Sequence, residues 1–237
     1  MNYKTIAAFA AIFLLMLSLA ACRKERMLSK VDIEDVYCIF RAEYHAEDDI
    51  TRYIAQFRCK KEKGDYVVLD DNASVSCNGQ LLSYDESEHS YIFEQPGTID
   101  SARFSWTDLN GQQYKNSVRM ADSINFPAML DSLMSISIPI FEFVWQGAPI
   151  LRSNESAVLY VNGGENHEYG RFRRRYGDGA TFQQNSIGAT SLVVDLNIGI
   201  TRGYLFQFQR EINKDLQEKT AAGGKIQAFY MLEERRW

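Results

Sequence analysis

Apolar and polar positions alternate with a period of two along most of the chain from Val31 onward. The alternation is clear in Val36–Tyr44, Tyr53–Cys59, Tyr66–Leu69, Ser74–Cys77, Tyr91–Glu94, Ala102–Thr107 and Gln113–Met120. A period of two puts successive side chains on opposite faces of a half-buried strand. Val36, Cys38, Phe40 and Ala42 thus share one face, as do Tyr53, Ala55, Phe57 and Cys59. Turn chemistry separates the runs: Glu62-Lys63-Gly64-Asp65, Asp70-Asp71-Asn72, Asn78-Gly79, Pro96-Gly97 and Asp108-Leu109-Asn110-Gly111. Asn-Gly between alternating runs signals a tight hairpin, because both residues tolerate positive φ. Short strands with turns every eight to twelve residues or so predict a β-sandwich.

A second set follows Phe126-Pro127. Ala128–Met134 reads as a helical turn acting as a connector. Strand signals return in Ile138–Trp145, Ser156–Val161, Thr190–Leu196, Tyr204–Glu211 and Lys225–Leu232, around a glycine-rich polar region from Gly163 to Gly179. Ile212–Lys219 fits a short helix or a long inter-strand crossing, ended by Gly223-Gly224. The fold expected is all-β, with two tandem immunoglobulin-like β-sandwich domains at residues 31–126 and 127–237, each of ordinary domain size. A two-sheet jelly roll is the second layout. The Cys–Trp–Cys spacing of true immunoglobulin domains is missing, so the expectation concerns architecture, not homology.

The N-terminus breaks the pattern. Lys4 precedes an apolar run from Ile6 to Leu17, shorter than the roughly 20 residues needed to span a bilayer. The run ends in Leu19-Ala20-Ala21-Cys22, which resembles the lipobox of bacterial lipoproteins. That resemblance implies a signal peptide at residues 1–21, removed before Cys22. It implies a diacylglyceryl group on the Cys22 thiol and acylation of the new amino group. Residues 22–30 would then be a lipidated tether. Each buried lipid CH₂ contributes about 0.8 kcal/mol, so several long chains give stable anchoring. Arg23-Lys24-Glu25-Arg26 has neither the Asp after Cys of inner-membrane lipoproteins nor the acidic run of surface-exported ones. The resemblance therefore favours the periplasmic face of the outer membrane; the basic tetrad fits equally a solvated tether beside anionic lipid. The overall pattern also resembles envelope lipoproteins built from such sandwiches.

Composition sharpens this picture. The chain of 237 residues has 26 Lys plus Arg against 31 Asp plus Glu, for a formal charge of -5. An acidic balance argues against nucleic acid as a partner. Hydrophobic residues at 46% and charged residues at 24% are ordinary for a folded protein and exclude a disordered chain.

Three cysteines remain beside Cys22: Cys38, Cys59 and Cys77. If Val36–Tyr44 and Tyr53–Lys60 pair around the loop His45–Arg52, facing residues have numbers summing to about 97. Cys38 and Cys59 meet that condition, so a cross-strand disulfide is one expectation and two buried thiols the other. Cys77 reads as a core residue. His45, His89 and His167 lie in polar contexts without ligand spacing, and no metal site is expected. Asp70-Asp71-Asn72 and Asp108-Leu109-Asn110-Gly111 lack the further carboxylate of a calcium loop. They read as turns. No nucleophile elbow or phosphate-binding glycine loop is present, so neither enzymatic activity nor a cofactor is expected.

The densest charge is Tyr169-Gly170-Arg171-Phe172-Arg173-Arg174-Arg175-Tyr176-Gly177, with Arg171, Arg173, Arg174 and Arg175 within five positions. Arginine forks bond carboxylate or phosphate bidentately, which suits a glycan, lipopolysaccharide phosphate or an acidic protein patch. A charged edge strand or a solvated loop explains the same residues structurally. Trp106, Trp145 and Trp237 read as core before they read as sugar platforms. Glu155 and Arg210 are charged residues among apolar strand positions and fit a buried structural pair. The function expected is a membrane-anchored, non-catalytic interaction or scaffolding module with an envelope protein partner. The alternative is a binding protein for a glycan or anionic ligand through Arg171–Arg175.

Overall fold

The computed structural model describes residues 24–70, 72–126, 140–163, 168–177, 184–190 and 204–236. Among these the fold is all-β, with only two short 3-10 turns at Leu28–Lys30 and Ile33–Asp35. One large sheet runs through both halves of the chain. Its path is β1 (Glu25–Met27), β4 (Tyr66–Val68), β3 (Ile50–Cys59), β2 (Val36–His45), β18 (Gly224–Arg236), β17 (Tyr204–Asp215), β14 (Glu155–Gly163) and β15 (Glu168–Arg175). β8 (Ser90–Pro96) also pairs with β3 and carries β7 (Ser83–Asp85).

A four-stranded sheet of β10 (Gln113–Arg119), β9 (Ser101–Thr107), β5 (Ser74–Cys77) and β6 (Gln80–Leu81) supplies side chains to the first core. Two short ladders contribute to the second core: β11 (Ile124–Asn125) with β13 (Gln146–Gly147), and β12 (Ile140–Val144) with β16 (Ser186–Thr190).

The alternation read from sequence sets the buried face. Val36, Cys38, Phe40, Ala42 and Tyr44 of β2 all enter the first core, with Tyr53, Ala55 and Phe57 of β3. Phe104 stacks on Phe40 with ring centroids 4.9 Å apart, and Trp106 stacks on Tyr114 at 4.7 Å. Burying each such ring contributes about 1.5–3 kcal/mol. The second core is smaller and gathers Ile124, Phe143, Trp145, Ile150, Ala157, Leu159, Val161, Ile187, Phe206 and Phe208. The halves 31–126 and 127–237 share the large sheet. β18 lies parallel to β2, and Ile212, Leu216, Ile226 and Ala228 from the C-terminal hairpin join the first core. Tyr230 packs against both cores.

Gly224 makes that parallel pairing sterically feasible. A Cβ there would fall 2.4 Å from the Cys38 carbonyl oxygen and 2.5 Å from Leu216 Cδ1. Asn78 and Gly79 have φ of 49° and 84°, the two positive values of the expected hairpin turn.

Several expectations change. The β2–β3 hairpin pairs His45 with Ile50 across a four-residue turn, shorter than the loop read from sequence. Paired numbers therefore sum to 95: Cys38 faces Phe57, and Cys59 faces Val36. The expected Cys38–Cys59 disulfide is absent, and Cys38, Cys59 and Cys77 are all free thiols. Within the polar region Gly163–Gly179 the arginines lie on β15, which is the charged edge strand and not the solvated loop of the two structural readings. Ile212–Lys219 is neither a helix nor a crossing, because β17 continues to Asp215 before turning. Residues 24–30, expected as part of a tether, are built into the fold. Lys24 O accepts from Tyr66 N, Glu25–Met27 is a strand, and Leu28 is fully buried. Cys22, the expected signal peptide at residues 1–21, Ala128–Met134, His167 and Trp237 lie outside the described residues.

Candidate functional site

The arginine cluster sits on β15, which ends the path of the large sheet. Its partner β14 sets the register: Arg175 faces Ser156, Arg174 Ala157, Arg173 Val158 and Arg171 Tyr160. Strand alternation divides the four. Arg171, Arg173 and Arg175 are exposed on the outer face, whereas Arg174 is only 4% exposed. Its neighbour Ala157 belongs to the second core and faces Arg210 on the next strand. The sequence left these residues as a cationic loop or a charged edge strand; the structure makes them a strand with three arginines outside and one inside.

Arg173 donates to Ser156 Oγ at 3.0 Å and pairs with Glu211. The Arg171 guanidinium lies over the Tyr160 ring, 5.2 Å from its centroid. Among the described residues Arg171 has no carboxylate partner. Tyr160 opens a groove of about 300 Å³ that runs across the outer face. His45, Glu47, Asp48, Gln207, Gln209, Met231 and Glu233 line it further on. Gln207 Nε2 donates to Glu233 Oε2 at 2.9 Å, and Glu233 N donates to the Glu47 carboxylate. The Glu43 carboxylate, 3.7 Å from His45 Nε2, raises the His45 pKa from 6.5, against the opposing pull of burial.

On the inner face Arg210 is 1% exposed and Glu155 is 3% exposed. Arg210 Nη2 donates to Glu155 Oε2 at 2.9 Å and to Pro149 O at 3.0 Å, while Nη1 donates to Ala148 O at 2.6 Å. Arg152 adds a second ion pair to Glu155, and Asp122 lies 3.4 Å from Arg210. The buried pair expected from sequence therefore forms. Arg210 faces Tyr230, which faces Tyr44 on β2. This row crosses the seam between the two cores. There a cavity of about 410 Å³ is lined by Tyr44, Tyr230, Asp100, Arg119, Asp122 and Ser123 among others.

The remaining candidates resolve into structural roles. Trp106 and Trp145 are core residues, at 0% and 1% exposed. Asp70 accepts from Ser29 N and Oγ, and Asp108 accepts from Asn110 N and Gln112 N. Among the described residues no three His, Cys, Asp or Glu side chains gather to hold a metal. His89 and Tyr84 both bond Glu25 and hold its carboxyl below the usual value, Tyr84 contributing most. Burial raises the Cys38 thiol and pushes Cys77 up to about 12, so neither is a ready nucleophile.

Sequence reasoning missed the groove. Its residues come from four stretches of the chain, joined only by the register of β14, β17, β18 and β2. No linear motif carries that register. No protein-family model matches the chain, and no curated protein matches it.

Proposed function

We propose that this chain is a non-catalytic lipoprotein of the bacterial cell envelope that works as an interaction and scaffolding module. Lipids on Cys22 anchor it after loss of residues 1–21, on the periplasmic face of the outer membrane. Its body is a tandem pair of immunoglobulin-like sandwiches, residues 31–126 and 127–237, with the C-terminal strands serving both. The partner is another envelope protein, met at the outer face of β15.

The observation that carries this reading is the position of two edges. β1 begins three residues after Cys22, at one end of the sheet path, and β15 stands at the other. Seven strand spacings separate them in the eight-strand path, about 34 Å at ~4.8 Å each. The arginine face thus lies on the edge opposite the anchor, open to a partner other than the lipid that holds the chain. A second reading, a glycan or an anionic ligand such as lipopolysaccharide, is favoured by Arg171, whose guanidinium has no carboxylate partner among the described residues.

Metabolic labelling with a palmitate analogue tests the anchor: wild type incorporates it and Cys22→Ser does not. Crosslinking in intact cells tests the face. Arg171→Gln, Arg173→Gln and Arg175→Gln together should abolish the crosslinked partner. An unchanged crosslink would discard the arginine face.

A further inference from the structure

We infer that the groove on the outer face of the large sheet binds a short zwitterionic peptide, its carboxylate on Arg171 and its ammonium group among Glu47, Asp48 and Glu233. This deepens the reading of Arg171 as an anion site and rests on it.

The argument starts from register. One row of cross-strand neighbours runs Arg171, Tyr160, Gln207, Glu233 over four adjacent strands. A second runs Arg173, Val158, Gln209, Met231, His45 over five. Each row keeps to one face because its members are directly paired, and the two rows share that face because they stand two residues apart on every common strand. The first row covers three strand spacings, about 14 Å. An extended peptide advances about 3.3–3.6 Å per residue, so four residues cover the same length.

Charge changes sign along this row. Arg171 stands just beyond the groove lining at one end, its guanidinium over Tyr160, which does line it. Glu47, Asp48 and Glu233 stand at the other, all exposed. A uniformly anionic ligand would meet three carboxylates at the far end, and a uniformly cationic one would meet Arg171. A ligand with opposite charges at its two ends matches both.

Between the ends the floor is amide and apolar. The carboxamides of Gln207 and Gln209 offer donors and acceptors to a peptide backbone. Tyr160 and Met231 offer apolar surface to small side chains. A groove of about 300 Å³ stands at the small end of ligand sites, which suits a short peptide. Charge-assisted hydrogen bonds at both ends would fix its direction.

The test uses tetra-alanine, its N-acetyl form, its C-terminal amide and trigalacturonate as probes, with binding measured by NMR titration of the folded chain. The free peptide should bind. Acetylation and amidation should each weaken binding at least tenfold. Arg171→Gln should remove the difference between acid and amide, and Glu233→Gln should reduce the difference between free and acetylated amine. Both sites are exposed, and thermal melts confirm that the variants fold. If acetylation changes nothing while Arg171→Gln weakens every anionic probe, the dipolar site falls and the anion site stands. If Arg171→Gln changes nothing, both fall. Binding of trigalacturonate in preference to the peptide, or of no probe, also overturns the inference.

Discussion

The two cores are filled by different means. The first is apolar and aromatic, with Phe40, Tyr53, Phe57, Phe104 and Trp106 all at 1% exposed or less. The second is smaller and has buried charges beside its aromatic cluster: Arg210 and Glu155, with Arg174 at 4% exposed. An apolar core gains from every methylene it buries. A buried ion pair gains little net energy but penalises any arrangement that separates its partners. The first core therefore supplies stability, and the pair in the second fixes how β14 and β17 meet Ala148 and Pro149.

The largest break in this comparison comes from cutting the chain. A fragment of residues 24–126 loses β18 from beside β2 and loses Ile212, Leu216, Ile226 and Ala228 from the first core. It also loses the Thr220 Oγ1 bond to Val36 O and the Glu218 contacts of Asn116. The fragment should lack cooperative unfolding by near-ultraviolet circular dichroism, whereas the chain from residue 24 to 237 unfolds as one unit. A stable fragment would show that the first sandwich needs no strand from the second half.

Point substitutions then separate the two kinds of core. Trp106→Ala leaves a vacancy beside Phe57 and Tyr114, and should cost about 3–5 kcal/mol in urea unfolding. Arg210→Met should cost about 3 kcal/mol, because Glu155 stays buried with only Arg152 beside it. The cores diverge at the second substitution. Adding Glu155→Leu to Arg210→Met should restore most of the loss, since apolar pairs of similar volume often replace buried ions without cost. No substitution at a partner residue should rescue Trp106→Ala as fully. A double variant no more stable than Arg210→Met would mean that Arg210 acts through Ala148, Pro149 and Asp122 instead.

How far the sequence carried follows from the same distinction. Alternation located the inner face of β2 and β3 residue by residue, because burial on one side repeats every two positions. The Asn78-Gly79 turn was legible because it needs positive φ at both residues. The Glu155–Arg210 pair was legible because charges among apolar strand positions require each other. Register was not. The β2–β3 turn has four residues, and the Cys38–Cys59 bridge failed on that shift from 97 to 95. β15 was legible only as one of two alternatives, a charged edge strand or a loop, because arginine overwrites its apolar alternation. The parallel join of β18 to β2 links residues nearly 200 apart in the chain, a distance over which no local signal acts. The thiols check the corrected register. Without reduction, Cys59 should alkylate first, while Cys38 and Cys77 should react only on unfolding, as their burial requires. An intact mass lower by two hydrogen atoms, with Cys38 and Cys59 both blocked to alkylation, would restore the disulfide.

The smallest effect concerns the outer face of β2, the strand whose inner face builds the first core. The His45 pKa is raised chiefly by Glu43, with Asp48 adding to it, and is opposed by burial and Arg52. A folded pKa above the unfolded value means that protonated His45 favours the folded state. That contribution is complete below about pH 6.5 and is lost as pH rises through the folded pKa. The imidazole is 33% exposed, so the gain should stay within about 1 kcal/mol, the range of solvent-screened pairs. An NMR titration should place the His45 midpoint above 6.5, and Glu43→Gln should lower it. Trp106→Ala should leave the midpoint unchanged, because the first core lies on the other side of the strand. A midpoint that followed Trp106→Ala would mean that the two faces of the sheet are coupled, and that the outer groove depends on the packing beneath it.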